Sequence, residues 1–256
     1  MSEPQPATPI ESAAEPAPLP AIPFWGYADL ALFAAAAAPS LLVGALLAQA
    51  LMLAFPEWSG RKALLVLPAQ FFAYGVWFVF LLVLLRAKYR APFWRSLGWG
   101  RPAEPFWFWR QARTGILVAC GIVLGGLLLR TPDIDMPMKQ LLSDRVSLIA
   151  VGLAAVSLGP VCEELAFRGF LLPLLVRSWG AAPGILLAAM PFAILHGPQY
   201  AWSWRHIVLI LAAGAAFGWI RHRTGSTAAS AVAHAFYNFT FLLLYALQER
   251  NLPARW

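Results

Sequence analysis

Long apolar segments dominate this sequence and limit the folds open to it. Hydrophobic residues make up 60% of the 256 residues and charged residues only 12%, about half of the ~25% found in a soluble domain. A helix needs about 20 mostly apolar residues to cross a bilayer. Seven segments are close to or above that length: 28–55, 64–85, 113–130, 147–177, 181–197, 206–221 and 227–247. The sequence therefore predicts an all-α, polytopic membrane helix bundle with about seven (six to eight) transmembrane or membrane-embedded helices.

The remaining segments leave little room for a second folded domain. Residues 1–22 are rich in Pro, Ala and Glu and contain no Lys or Arg, a composition that cannot bury a core. We expect a disordered tail over 1–22 and the membrane bundle over 23–256. The first basic residue is Arg61, so the first apolar segment lacks the basic stretch that precedes a cleaved signal peptide. We expect this segment to be retained as a helix.

Positive charge is concentrated between the second and third apolar segments. Residues 86–113 contain seven Lys or Arg and one acid, Glu104, interspersed with Phe and Trp. Basic loops lie on the cytoplasmic side of a membrane, and aromatic residues settle at the headgroup layer. The loop is therefore predicted to be cytoplasmic, which places the N-terminus in the cytoplasm as well. This topology accounts for the net charge of +7, so the expected partner is membrane lipid and not nucleic acid.

Two adjacent carboxylates and an arginine interrupt the fourth apolar segment. Glu163, Glu164 and Arg168 are predicted to lie at membrane depth, where each charge costs about 2.5–3.5 kcal/mol on insertion scales. Residues four apart share a helix face, so Glu164 and Arg168 are expected to pair. Glu163 is rotated by about 100° from Glu164, which leaves it available as a general base. The alternative interpretation is a purely structural ion pair between helices.

Two later apolar segments add histidines to this polar set. His196 ends the fifth segment and is followed by Gly197-Pro198, which stops a helix. His234 and Asn238 are four residues apart in the seventh segment and share a helix face. Each residue alone is better explained as a buried polar side chain. Together, the three segments supply groups that suit water activation and oxyanion stabilisation.

The order of these motifs resembles the CAAX-protease and bacteriocin-processing family of intramembrane endopeptidases, also called the abortive-infection family. The family's motifs are Glu-Glu-x-x-x-Arg, Phe-x-x-x-His and His-x-x-x-Asn, each in its own apolar segment. Here they are complete, as Glu163-Glu164 with Arg168, Phe192 with His196, and His234 with Asn238. Phe167-Arg168-Gly169 and, in the basic loop, Ser96-Leu97-Gly98-Trp99 also fit the family pattern. The resemblance covers residues 147–247, the expected catalytic core.

The resemblance implies an intramembrane protease that hydrolyses a peptide bond of a membrane-associated protein or peptide. Eukaryotic members remove the last three residues of prenylated CAAX proteins, and the sequence leaves open whether the substrate here carries a lipid. On this hypothesis Glu163, helped by His196, activates a water, and His234 and Asn238 stabilise the oxyanion. Glu164 and Arg168 fix the helix and orient Glu163. The predicted catalytic set is therefore Glu163, Glu164, Arg168, His196, His234 and Asn238.

Metal dependence stays open at this point. Members of the family are commonly labelled metalloproteases, although a metal-free glutamate mechanism has also been proposed for the fold. The chain has no His-Glu-x-x-His motif, which favours the reaction without a metal. If one divalent ion such as Zn²⁺ is used, the expected ligands are Glu163, His196 and His234. No other cofactor is predicted.

Two other classes of function fit the same polar cluster. A non-catalytic scaffold or immunity protein would keep the cluster for packing, and a proton-coupled transporter would use Glu and His as a relay. Many transporters are built from inverted repeats with broken helices in matching halves. The polar residues here are confined to the C-terminal half, so the protease is the preferred hypothesis.

A shared site requires His196 and His234 to lie at the same depth in the membrane. Strict alternation of full spans from a cytoplasmic loop 86–113 would place His196 near the far side and His234 nearer the cytoplasm. Either one short segment does not cross the membrane fully, or the predicted boundaries need correction.

Overall fold

The computed structural model describes residues 23–134 and 144–248, and within these two stretches the chain forms a bundle of α-helices without a β-strand. The prediction for residues 1–22 lies outside the described residues. The helices are α1 (Tyr27–Ala54), α2 (Lys62–Tyr89), α3 (Phe93–Ser96), α4 (Trp107–Leu129), α5 (Arg145–Val156), α6 (Leu158–Glu164), α7 (Leu172–Trp179), α8 (Ala181–Leu195), α9 (Trp204–Thr224) and α10 (Thr227–Gln248).

Five helical stretches are long and apolar enough to cross a membrane: Tyr27–Ala54, Lys62–Tyr89, Trp107–Leu129, Arg145–Trp179 and Thr227–Leu247. Large apolar side chains such as Leu53, Leu117 and Leu128 point away from the protein and are exposed. In water such a surface would be unfavourable, whereas lipid covers it without cost. The predicted all-α polytopic bundle is confirmed, and the protein is an integral membrane protein. All seven predicted segments are helical.

The fifth predicted segment is shorter than a full span. Helix α8 has 15 residues, against the roughly 20 that a bilayer requires. It folds back on α7 through Gly180, whose φ of +81° favours glycine. Gly184 allows the two helices to touch, because a Cβ there would lie 2.7 Å from the backbone of Val176. Helix α8 is therefore too short to span a bilayer alone and packs against α7 and α9, the kind of short segment that a shared depth of His196 and His234 requires.

The fourth span begins with a capped helix. The carboxylate of Asp144 accepts the backbone N–H of Ser147 at 3.0 Å and the Ser147 hydroxyl at 2.5 Å. This is the usual way of satisfying an N–H group at a helix start. Helix α5 then ends at Val156, where Ser157 leaves the helical region (φ −130°, ψ −91°). Pro160 follows three residues later and lacks the N–H that would continue the hydrogen-bond ladder.

The same span continues through a π-helical turn. Residues Leu165–Leu171 form this turn between α6 and α7, and it carries Arg168. A π-helical turn widens the helix locally and is often found at functional sites. The break at Ser157 and the π-helical turn therefore lie on either side of α6, the short helix that carries Glu163 and Glu164.

The largest apolar core packs the segment just before α1 against this π-helical turn. The indole N–H of Trp25 donates to the Phe170 carbonyl at 3.1 Å, and the two rings stack 5.0 Å apart. Arg177 holds the same segment, because its guanidinium donates to the carbonyls of Pro23 and Trp25. These contacts join residues more than 140 positions apart and fix α1 against the span that carries the acids.

Helices α4 and α10 approach closely through a glycine. A Cβ on Gly115 would lie 2.0 Å from the carbonyl oxygen of Ala233, so no larger residue fits without separating the helices. Small residues at helix contacts are the usual means of packing in a membrane. This close approach fixes α10 at the residue next to His234.

Candidate active site

Glu164 is fully buried, and both of its carboxylate oxygens accept hydrogen bonds from the protein. Its Oε1 accepts from Arg168 Nη1 at 2.8 Å and from His234 Nδ1 at 2.9 Å. Its Oε2 accepts from the Ser230 hydroxyl at 2.5 Å. A buried charge is tolerated when it is paired and hydrogen-bonded in this way. The predicted ion pair between Glu164 and Arg168 is present.

Arg168 is also buried and connects three elements. Its Nη2 donates to the carbonyl of Gly214 in α9 at 2.8 Å. The guanidinium carbon lies 4.4 Å from the ring centroid of Phe192 in α8 and 5.4 Å from that of Phe217 in α9. These distances are within the range of cation–π attraction. Arg168 therefore holds the π-helical turn, α8 and α9 together around Glu164.

Glu163 differs from its neighbour in both exposure and contacts. Its side chain is 26% exposed, and its Oε2 lies 3.8 Å from His234 Nε2. It makes no hydrogen bond to Arg168 within the described residues. Of the two acids, Glu164 pairs with Arg168 as the spacing of four residues predicts, and both acids face His234.

His234 lies between the two carboxylates. Nδ1 faces Glu164, and Nε2 faces Glu163. Because a carboxylate paired with arginine can only accept, Nδ1 carries the proton of this hydrogen bond. The ring stacks on Phe217 with centroids 4.6 Å apart, which fixes its plane. His234 is thus oriented by the Glu164 pair and presents Nε2 to Glu163.

His196 is held by its own helix. Its Nδ1 lies 2.8 Å from the Phe192 carbonyl, an oxygen that can only accept, so Nδ1 carries the proton and Nε2 is left as an acceptor. The Phe192 ring contacts the rings of both histidines, at 4.6 Å for His196 and 5.9 Å for His234. In the described part of the chain, no hydrogen bond or ion pair joins His196 to Glu163. The ring of Phe192 therefore lies between His196 and His234 and contacts both.

Asn238 makes a contact that the sequence did not predict. Its Nδ2 donates to the Ala155 carbonyl at 2.7 Å, at the end of α5 and next to the break at Ser157. A side-chain amide has two N–H groups, so one remains for another acceptor. Asn238 therefore joins α10 to α5 and still offers a donor.

Ser230 is a site residue that the sequence analysis missed. It lies four residues before His234, and Asn238 lies four residues after, so the three polar side chains follow one face of α10. This regular spacing was the available signal. The contact between Ser230 and Glu164 depends on how α10 is rotated against α6, which a single helix pattern does not show.

The metal alternative finds no support in this geometry. Within residues 23–134 and 144–248, no group of three His, Cys, Asp or Glu side chains could hold a metal ion. Glu163 and His234 approach each other, but His196 does not complete a set with them. The described residues therefore do not fit the expected metal site of Glu163, His196 and His234.

Comparison with protein families matches residues 145–240 to the model described as Type II CAAX prenyl endopeptidase Rce1-like. The matched region runs from the start of α5 into α10 and includes all six predicted catalytic residues. Comparisons with curated proteins and with solved structures gave no match. Over residues 145–240 the chain is therefore similar to the type II CAAX prenyl endopeptidases, the family that its three motifs indicated.

Proposed function

We propose that this protein is an intramembrane endopeptidase that hydrolyses a peptide bond of a membrane-associated protein or peptide. One observation carries the proposal. A partly exposed carboxylate, Glu163, faces a histidine whose other nitrogen is fixed by a buried ion pair. The similarity of residues 145–240 to a protease family supports it independently.

Glu163 is the proposed general base. Glu164 is fully buried and already accepts three hydrogen bonds, whereas the side chain of Glu163 is 26% exposed and keeps acceptor sites for a water. A water bridging Glu163 Oε2 and His234 Nε2, which lie 3.8 Å apart, would be within reach of both. Glu163 takes a proton from this water, and the resulting hydroxide attacks the scissile carbonyl carbon. Glu163 then returns the proton to the amide nitrogen as the C–N bond breaks.

Three polar side chains are proposed to assist this step. His196, through its unprotonated Nε2, helps to hold the attacking water. Asn238 offers its second amide N–H to the oxyanion, and His234 donates from Nε2 when its ring is protonated on both nitrogens. Removing one such donor typically costs about 10²–10³ in rate. Glu164, Arg168 and Ser230 are positioning residues, because they act on the reaction through His234 and Glu163.

A cleavage assay with two matched peptides tests this proposal. The purified protein is reconstituted in lipid and given a peptide with a CAAX-type C-terminus, with and without a prenyl group. Mass spectrometry identifies any product. Glu163→Gln is expected to abolish cleavage, whereas the control Glu57→Gln changes an exposed acid in the turn Pro56–Arg61 and should cleave like wild type. Cleavage by Glu163→Gln at the wild-type rate would contradict the proposal.

Two further arms refine the assay. Activity that persists in a chelator supports the metal-free reaction, and loss of activity that Zn²⁺ restores contradicts it. Preference for the prenylated peptide at equal sequence supports a lipidated substrate. Absence of cleavage of both peptides by a folded wild-type protein counts against a CAAX-type substrate.

A further inference from the structure

An open cavity with a mostly apolar lining lies away from the proposed catalytic residues, at the end of the bundle where α7 and α9 finish. Its volume is 430 Å³, within the range of roughly 300–1,000 Å³ typical of ligand sites. Arg177, Arg221 and His222 supply its titratable groups, and Leu172 and Val176 form an apolar wall. None of the proposed catalytic side chains lines it. Its described lining contains no carboxylate.

Arg221 has no counter-charge within the described residues. Its guanidinium is partly buried and makes one hydrogen bond, from Nε to the Thr227 hydroxyl at 2.9 Å. Arg168, by contrast, is paired with Glu164. Arg177 likewise donates to backbone carbonyls and not to an acid. Two guanidiniums that share a cavity without a carboxylate make it favourable for an anion.

The basic loop is shaped around the Arg221 guanidinium. Gly98 adopts a φ of +66°, and a Cβ at this position would lie 2.3 Å from Arg221 Nη2. The loop is held in place because Thr227 donates to the carbonyls of Leu97 and Gly98, at 2.6 and 2.9 Å. The glycine of the Ser96-Leu97-Gly98-Trp99 motif therefore makes room for this side chain.

The position of the cavity indicates a lipid ligand. Arg177 lies in the last turn of α7, and Arg221 and His222 lie in the last turn of α9. Trp179 and Trp219 are exposed on the same two helix ends. Arginine and tryptophan at helix ends mark the headgroup layer of a membrane. The cavity thus joins a basic part to an apolar wall, next to two helix ends that carry exposed tryptophans.

We infer that this cavity binds the phosphate of an anionic phospholipid headgroup. Arg221 and Arg177 contact the phosphate oxygens, and His222 adds a third donor. The diacylglycerol part of the lipid, with its acyl chains, lies against Leu172 and Val176. The absence of a carboxylate among the described lining residues disfavours a headgroup that also carries a cation. An anionic headgroup such as phosphatidylglycerol should therefore bind better than phosphatidylcholine.

Native mass spectrometry of the full-length protein in detergent can measure this binding. Wild type is expected to retain one phosphatidylglycerol with at least tenfold higher affinity than phosphatidylcholine. Arg221→Gln should weaken phosphatidylglycerol binding about tenfold, the loss of roughly one charge-assisted contact. The matched control is Arg223→Gln, which removes an exposed arginine two residues away that lies over the Trp219 ring. It should change the affinity less than twofold.

A second variant keeps the inference testable if Arg221→Gln does not fold. His222 is exposed and lines the cavity, so His222→Gln should fold and weaken phosphatidylglycerol binding to a smaller extent. Equal affinity for the two lipids would overturn the inference, and so would equal losses in Arg221→Gln and Arg223→Gln. Displacement of the lipid by inorganic phosphate at equal concentration would overturn the lipid assignment. Displacement by a peptide with a free C-terminus, and not by its amide, would assign the cavity to peptide carboxylates instead.

Discussion

His234 separates two carboxylate environments that differ although the two acids are adjacent in the chain. On the Nδ1 side, Glu164 is buried and accepts three hydrogen bonds. On the Nε2 side, Glu163 is 26% exposed and lies 3.8 Å from the ring. The chemistry of the side chain is the same, so burial and partners make the difference. Glu164 holds Arg168, Ser230 and His234 in place, whereas Glu163 keeps acceptor sites for another ligand.

The largest expected effect on the cleavage rate comes from Glu163, on the Nε2 side of His234. Glu163→Gln keeps the shape of the side chain and removes the base, so the cleavage rate should fall about 10²–10⁴-fold. The melting temperature in detergent should stay close to wild type, because no hydrogen bond depends on this carboxylate within the described residues. Rates and melting curves measured on the same preparation test this together.

On the Nδ1 side of His234, a change at Glu164 should lower the stability of the protein as well as its activity. Glu164→Gln leaves Arg168 buried without its counter-charge, and breaking a buried pair from one side costs roughly 3–5 kcal/mol. Both the melting temperature and the activity should fall. The double variant Glu164→Leu with Arg168→Leu removes both charges and should recover stability more than activity. If Glu163→Gln is the destabilised variant and Glu164→Gln melts like wild type, the roles of the two acids are reversed.

A smaller effect is expected from the serine that supports Glu164. Ser230→Ala removes one of the hydrogen bonds to a buried carboxylate, which should cost about 1–3 kcal/mol of stability. Since Glu163 is untouched, the pH dependence of cleavage should keep its wild-type shape. Ser230→Thr retains a hydroxyl and serves as the matched variant. A change in the pH profile of Ser230→Ala would show that the two sides of His234 are less independent than their contacts indicate.

The smallest effect should come from a carboxylate with a purely structural role in the same span. Asp144→Ala removes the N-terminal cap of α5 and should cost about 1 kcal/mol of stability. Asp144→Asn retains a capping oxygen but loses the charge that lies 4.0 Å from Arg61, so it should lower the melting temperature less than Asp144→Ala does. Thermal melting of both variants, with unchanged cleavage rates, would set the baseline against which the effects at Glu163 and Glu164 are judged.

Local features of the site could be predicted from the sequence, whereas contacts between helices could not. The pairing of Glu164 with Arg168 follows from a spacing of four residues along one continuous helical span. The position of His234 between the two acids depends on how α10 is rotated against α6. That rotation is set by packing such as the approach of Gly115 to Ala233, which no pattern within one segment records.

The helical segments were also predictable, because each depends on the residues within one segment. Apolar length alone located all seven helical segments, because lipid requires a continuous apolar stretch. The π-helical turn over Leu165–Leu171 leaves no such trace, because apart from Arg168 its residues could equally continue an ordinary apolar α-helix. The cytoplasmic position of the N-terminus stays a prediction from the charge of the loop 86–113.

The spacing of Glu164 and Arg168 has a consequence for biosynthesis. Both residues belong to one span, so their charges can neutralise each other as soon as that span leaves the ribosome. Their other partners, Gly214, Ser230 and His234, are between 46 and 70 residues further along. The span can therefore enter the bilayer with this ion pair already formed, before the helices that carry Gly214, Ser230 and His234 are inserted. Insertion of this span does not depend on the later contacts that complete the site around Glu164.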